Sequence, residues 1–417
     1  MRAARQGRAK SYMTKFKVQA LRWKWFWLAA LPACFLAGCL VAPPPVSLPT
    51  RGAAPSASSR PVVAAPTAAF TPSPAPQPSA TSAPSPLPPS ATPVAPAATP
   101  EPLIRLLFTG DINPGRCPAQ AALAANDFTL PYQAVAEKLN AADITIGSVD
   151  GSISDLATPA ACAPTMNLIG PARTVEGLKF AGFKVITVAT NHALDCGSLG
   201  WRCKGKSVQD TRSNLISAGL QVVGIGDNLA AARSPVIVER QGVRFAFLGV
   251  NAISGDTTWA TDTQPGTAPL SDQSLRGLLA DVAHARTLAD VVIVLPHWGI
   301  EYTSLPDKEQ QAWAAALIAA GANLVIGNHP HLAQPVETFA NGGVVAYALG
   351  NFVFDQGPNE TRQGVVFEAV FRGRTLESWQ LLPVHIYNLY QPRWAPPAEA
   401  DAVLARIAEA SKALPQR

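Results

Sequence analysis

The stretch VVIVLPHWGIEY (residues 291–302), followed by KEQQAWAAALIAAGANLVIGNHPHLAQPVE (308–337) and VVAYALGNFVFD (344–355), decides the fold and holds three of the chain's six histidines. Val291 to Pro296 is an apolar run that delivers His297 at its end. Asn323 to Ile326 delivers Gly327, Asn328, His329, Pro330 and His331 in the same way. Short runs without polar alternation are the pattern of parallel strands buried on both faces. Between them, Lys308 to Ala320 has helical periodicity with Trp313, Leu317 and Ile318 on one face, so the unit reads strand, helix, strand. A right-handed crossover then puts both histidine loops on one sheet edge, where open α/β sheets carry their ligands. Two imidazoles one residue apart, with a third at the end of a neighbouring strand, can hold a metal. The plainer reading of His-Pro-His, a proline turn with incidental histidines, stands beside it.

The chain has 417 residues and a formal net charge of +5, but its composition is too uneven for averages to mean much. Residues 1–24 carry eight Lys or Arg and no acid; without them 25 basic and 28 acidic residues remain, a net charge of −3. The basic balance therefore belongs to the leader, and nucleic acid is not an expected partner of the folded part. Trp25 to Ala42 follows as 18 uncharged, mostly apolar residues, so 1–42 reads as a signal peptide or membrane anchor with its positive end inside. Within it, Leu36-Ala37-Gly38-Cys39 resembles the lipobox of bacterial lipoproteins, which implies lipidation of Cys39 and anchoring at the outer face of the cell membrane. An uncleaved transmembrane helix is the alternative. Residues 43–102 hold 19 of the 39 prolines and only three charges, and read as a disordered, extended tether.

The folded domain is expected over 103–390, with a helical extension over 391–417. Strands are expected at Leu103 to Phe108, Ile144 to Ile146, Phe183 to Ala189, Gln221 to Ile225, Pro235 to Glu239, Val243 to Val250, Val344 to Ala348, Val365 to Phe371 and Ser378 to His385. Helices are expected at Tyr132 to Asn140, Ala172 to Ala181 and Glu399 to Leu414. This is an α/β alternation with antiparallel strands added late. In chain order the strand ends carry Asp111, Asp150, Asn191 with His192, His297, and His329 with His331. Each alone reads as a cap or turn residue. Their shared position at the carboxyl ends of apolar runs points to one site.

The blocks LLFTGDIN, DITIGSVDGSIS, GFKVITVATNHALDCG, VVIVLPHWGIEY, GANLVIGNHPHLAQPVE and AYALGNFVFD together resemble the CapA or PgsA capsule-synthesis family, within the calcineurin-like metallophosphoesterase superfamily. The resemblance covers about Leu103 to His385. It implies a four-layer α/β/β/α sandwich with two divalent metals where the strand ends meet. By motif, Asp111 and His331 would bind one ion, Asn191, His297 and His329 the other, Asp150 would bridge them, and His192 would act on the leaving group. Mixed imidazole and carboxylate ligands suit Mn, Fe or Zn. Two departures stand out: Asn113 replaces the superfamily's histidine, and Ser148-Val149-Asp150 replaces Asn-Leu-Glu with a shorter carboxylate. The implied function is a membrane-tethered, metal-dependent hydrolase serving capsule or poly-γ-glutamate synthesis. The alternative is a non-catalytic subunit that binds an anionic envelope polymer or its synthase.

Cys117, Cys162, Cys196 and Cys203 are an even set in a chain read as exported, and four cysteines allow three pairings. The expected pairs are Cys117 with Cys162, joining the loops after Asp111 and Asp150, and Cys196 with Cys203, closing a short loop beyond His192. Four buried free thiols are the alternative.

Overall fold

The computed structural model describes residues 101–415 apart from 159, 160 and 164. The leader, Cys39 and the tether up to residue 100 lie outside the described residues. Among the described residues, no helix is long and apolar enough to cross a membrane.

Two sheets carry the domain. The first runs Gln391–Trp394, Thr375–Tyr387, Gln363–Arg372, Leu103–Ile112, Ile144–Val149, Phe183–Thr187 and Gln221–Val223 in spatial order, with Asn351–Val353 also paired to Leu103–Ile112. Its half from Leu103 to Val223 is parallel and its half from Gln363 to Trp394 antiparallel. The second runs Val336–Thr338, Val344–Ala346, Leu324–Ile326, Val291–His297, Val243–Asn251 and Val236–Arg240, parallel through its four central strands.

The alternation of side chains explains why these strands read as unbroken apolar runs. Val291, Ile293 and Leu295 point between the sheets against Leu106, Phe108 and Ile146 of the first sheet. Val292 and Val294 point outward against Leu278 and Val282 of the helix Asp272–Leu288 and Trp313 and Leu317 of the helix Lys308–Ala319. Successive residues of a strand face opposite ways, and here both faces are covered. The first sheet is covered on its outer face by Leu139, Leu178, Val208 and Leu215 from helices of 5, 7 and 14 residues. The order is therefore helices, sheet, sheet, helices. Each fully buried Leu, Ile, Val or Phe contributes roughly 1.5–3 kcal/mol of transfer free energy, so three such cores outweigh any single polar contact.

The helix Lys308–Ala319 starts where Asp307 accepts from the Gln310 N–H at 2.8 Å and Gln310 Oε1 accepts from the Asp307 N–H at 3.0 Å. That reciprocal cap satisfies two of the donors a helix start leaves open. It ends near Gly321, and the chain returns as Leu324–Ile326 beside Val291–His297. Gly327 then passes so close to the Trp298 indole and the Tyr347 carbonyl that a Cβ there would overlap both. The backbone can reach the site on that path only without a side chain.

Several expected elements need correction. Residues 391–417 are no appended helix: Gln391–Trp394 is a strand of the first sheet, and Val403 and Ile407 of the helix Pro397–Ser411 sit in the core between the sheets. The stretch Gln221 to Ile225 is two strands. Gly224, at φ 85°, turns the chain so that Val223 stays in the first sheet while Ile225–Gly226 pairs with Gly266–Thr267. Tyr132 to Asn140 breaks at Val135, leaving a short turn over Leu130–Tyr132 and a helix over Ala136–Asn140.

Candidate metal centre

The strand ends of both sheets meet at one place. Asp111 lies in the last turn of pleat of Leu103–Ile112, Asp150 directly follows Ile144–Val149, and Asn191 and His192 follow Phe183–Thr187. His297 closes Val291–His297, and His329 and His331 follow Leu324–Ile326. Asp111, Asp150, His192, His297, His329 and His331 are all buried, with Asp111 and Asp150 at 0 % exposure. The strand pairing enforces the meeting, since Asp111 is in register with Ser148 on one side and Asn351 on the other.

Asp111 accepts from Ser148 Oγ at 3.2 Å and from the His329 N–H at 3.1 Å, and lies 3.7 Å from His331 Nδ1 and 3.8 Å from His297 Nδ1. His297 Nε2 lies 2.8 Å from Asn191 Oδ1, 3.2 Å from His329 Nδ1 and 3.7 Å from Asp150 Oδ1. With the Asn191 bond made by an N–H at Nε2, the His297 lone pair sits on Nδ1, which has no partner. Neither oxygen of Asp150 has a partner either. Buried polar atoms are nearly always satisfied, so the open His297 Nδ1, 3.8 Å from Asp111, and the open Asp150 carboxylate, on the Nε2 side of the same ring, are donor atoms suited to a cation.

Protonation agrees with the donor set. Burial, then the charges of His329 and His331, hold His297 well below the usual imidazole range; burial brings His329 to about 3 and lowers His331 as well. Neutral imidazole is the form that ligates. Burial and the neighbouring Asp150 push Asp111 well up, as expected of two buried carboxyls placed side by side. The residues present therefore fit a divalent ion bound by mixed N and O donors. Among the described residues, no three His, Cys, Asp or Glu side chains already surround one point at coordinating distance; His297 and His331 are bonded to Asn191 and Asn351 instead.

His192 stands apart from the other three. Its Nδ1 lies 2.8 Å from Asp195 Oδ2, which also accepts from the Leu168 N–H at 2.6 Å. Burial works against its charge, but the Asp150 field and the Asp195 bond outweigh it and raise its pKa to about 9. Asn113 donates to Asp355 at 3.1 Å and accepts from the Gly115 N–H at 2.8 Å, so its side chain serves the loop.

Three residues of the site carry no role in the sequence reading. Asn351 holds His331 at 2.8 Å, Asp195 holds His192, and Asp355 gathers Asn113, Arg116 and the Cys117 N–H. Asn351 and Asp195 had a usable signal: Asn351 opens the strand after Gly350, and Asp195 lies three residues past His192 in a quoted block. Disulfides join Cys117 to Cys162 and Cys196 to Cys203, and the second begins one residue after Asp195.

A family model described as bacterial capsule synthesis protein PGA_cap matches residues 105–356. The chain is 30 % identical over 282 residues to the "PGA biosynthesis protein CapA" of Bacillus subtilis, covering 67 % of this chain and 71 % of that protein. It is 33 % identical over 222 residues to the "Capsule biosynthesis protein CapA" of Bacillus anthracis, covering 53 % and 52 %. It is also 33 % identical over 180 residues to a Mycobacterium tuberculosis protein named "Probable polyglutamine synthesis accessory protein", covering 41 % and 45 %. The chain thus spans about half the length of the second and third relatives.

Proposed function

From the premise that this chain belongs to the bacterial capsule synthesis family PGA_cap, we propose that it serves the assembly of an envelope polymer of the capsule or poly-γ-glutamate kind as an accessory, polymer-handling subunit. The observation that carries this reading is the similarity over 282 residues to a protein named for PGA biosynthesis. In this reading Cys39 carries the lipid, 43–102 is the tether, and the domain works outside the cell membrane beside polymer synthase subunits. The test is deletion of the gene in its own host, with cell-bound and released polymer measured by composition and chain length. A drop in amount or length is expected; polymer unchanged in both overturns the reading.

A second reading is favoured by one specific observation, the unpartnered Asp150 carboxylate beside neutral imidazoles. In it the same domain is a metal-dependent hydrolase of phosphate esters or a related bond. Asp111 and His331 would hold one divalent ion, and Asn191, His297 and His329 another, with Asp150 shared. Bound ions of this kind polarise a phosphoryl oxygen and make hydroxide available near neutral pH. Asp195 fixes the ring of His192 through Nδ1, which leaves Nε2 to hold a proton for a departing oxygen. Asn351 orients His331, and Ser148 together with the His329 N–H orients Asp111. Metal content and ester hydrolysis of the purified chain test this reading, as developed below.

A further inference from the structure

Beside the strand-end cluster, on the His331 side, lies a cavity of about 480 Å³. That is within the roughly 300–1,000 Å³ of small-molecule sites. We propose that this cavity binds a neutral sugar ring of the envelope polymer or of its acceptor, with the Tyr302 ring as its stacking platform. The proposal rests on the envelope-polymer reading and names the chemistry that reading leaves open.

Tyr302 is the most constrained exposed side chain at the site. Its backbone is left-handed at φ 60°, a conformation that costs a non-glycine residue on the order of 1–3 kcal/mol and persists only where the surroundings impose it. Here its N–H donates to the Pro330 carbonyl at 2.9 Å, which pins it to the His-Pro-His loop. Its ring stacks on His331 at 5.9 Å and 30°, and its hydroxyl accepts from Gln356 at 3.1 Å. The following turn is braced as well, because buried Gln334 donates to the carbonyls of Thr303 and Leu305. Despite these restraints the residue is 56 % exposed and lines the cavity. Burying a large aromatic face is favourable, so a rigidly held, solvent-facing ring beside a reactive cluster is a surface kept for a ligand. Two further strained residues adjoin it: Arg116, at φ 43°, lines the cavity, and His331, at φ 58°, stacks on the Tyr302 ring.

The charge of the lining selects the ligand class. Arg116 is the cation of the wall, and three of its N–H groups are engaged: Nε and Nη2 bind Asp355, and Nη1 donates to the Thr165 carbonyl at 2.6 Å. The Arg116–Asp355 pair is neutral overall, so the wall offers no open positive charge to a run of carboxylates. What it does offer is an aromatic face, the Met166 thioether, the Cys117–Cys162 bridge, the amide of Gln356 and the unpartnered hydroxyl of Thr165. A sugar ring matches that set, with one C–H face for the tyrosine and hydroxyls around the edge.

The experiment measures binding of maltohexaose, chitohexaose and hexa-γ-glutamate to the full chain in detergent by saturation-transfer NMR and calorimetry. The variants are Tyr302→Ala, Tyr302→Leu and Tyr302→Phe, each checked for an unchanged melting temperature. At least one neutral saccharide is expected to bind, with affinity reduced about tenfold in the Ala and Leu variants and within about threefold of wild type in Phe. If Tyr302→Ala fails to fold, Tyr302→Leu decides. No saccharide binding, or binding indifferent to Tyr302, overturns the proposal; so does hexa-γ-glutamate binding that depends on Tyr302. Polymer loss on gene deletion, combined with any of these results, leaves the assembly reading standing and removes the sugar site alone.

Discussion

Asp150→Asn should raise the stability of the metal-free protein while abolishing its stabilisation by metal. The carboxylate is 0 % exposed and neither oxygen has a hydrogen-bond partner. An unsatisfied buried polar group costs about 1–3 kcal/mol, and more when charged. Part of that cost is returned by the charge of His192, which the field of Asp150 favours. The neutral amide keeps the shape and removes the buried charge. A net gain of about 1 kcal/mol is therefore expected, about 2 °C in melting temperature or somewhat less for a domain of this size. The opposite ordering should appear with Mn²⁺ or Zn²⁺. An ion at a hundred times its dissociation constant adds about 2.7 kcal/mol to a protein that binds it only when folded. The assay is thermal unfolding of both proteins in EDTA and across a metal titration, with the two melting curves expected to cross. If the variant melts below wild type in EDTA, or if metal raises both equally, Asp150 is not an open ligand and the proposed centre is wrong.

The catalytic reading separates two histidines: His192→Ala should keep its metal and lose on the order of 10²–10⁴ in aryl phosphate hydrolysis, whereas His329→Ala should lose metal. Equal metal loss in both would move His192 into the ligand set, and a metal-loaded wild type inert toward mono- and diesters would refute the hydrolase reading. The two bridges should differ in worth, since chain entropy assigns about 4 kcal/mol to a loop of 45 residues and about 2 kcal/mol to one of seven. Chemical denaturation of the Cys117→Ser/Cys162→Ser and Cys196→Ser/Cys203→Ser proteins checks this, and a larger loss in the second pair would contradict it. Burial alone would raise Asp143, but bonds from the Arg105 N–H, Arg240 and Gln241 outweigh it and hold its pKa below the ordinary value. A depressed carboxyl stabilises above its unfolded pKa of about 3.9 and loses that contribution as pH falls through the folded value. The melting temperature of Asp143→Asn should therefore lie below wild type at pH 7 and close on it as pH falls below the unfolded pKa and through the folded value; a gap that survives full protonation would exclude the linkage.

Why some of this could be read from sequence follows from how each signal is generated. Parallel strands covered on both faces leave a mark in every residue, so Val291 to His297 and its crossover to Leu324–Ile326 stand out, and the residues at their ends come with them. The helix Asp272–Leu288 leaves less of a mark because only Leu278, Val282 and Ala285 of its 17 residues are buried. Asp355 acts by gathering Asn113, Arg116 and the Cys117 N–H, and nothing about an isolated Asp announces partners so distant in the chain. Tyr302 is harder still: its meaning lies in a left-handed backbone and an engaged neighbour, Arg116, neither of which is a property of residue type. The same limit applied at the C-terminus, where the periodicity of Glu399 to Leu414 reveals a helix but not that Val403 and Ile407 close the central core.

The strand Leu103–Ile112 comes first in the domain and sits in the middle of its sheet, paired on one side with Ile144–Val149 and on the other with Asn351–Val353 and Gln363–Arg372. A chain that emerges N-terminus first must therefore hold one edge of that strand open until some 250 later residues have followed. Contacts of such long sequence separation slow folding and defer it to the end of synthesis. Asp111 and Asn351 become neighbours in the same closing step, so the pieces of the candidate site come together only once the whole domain has been delivered. The compartment in which the chain completes its folding is then also the one in which the strand-end cluster first exists.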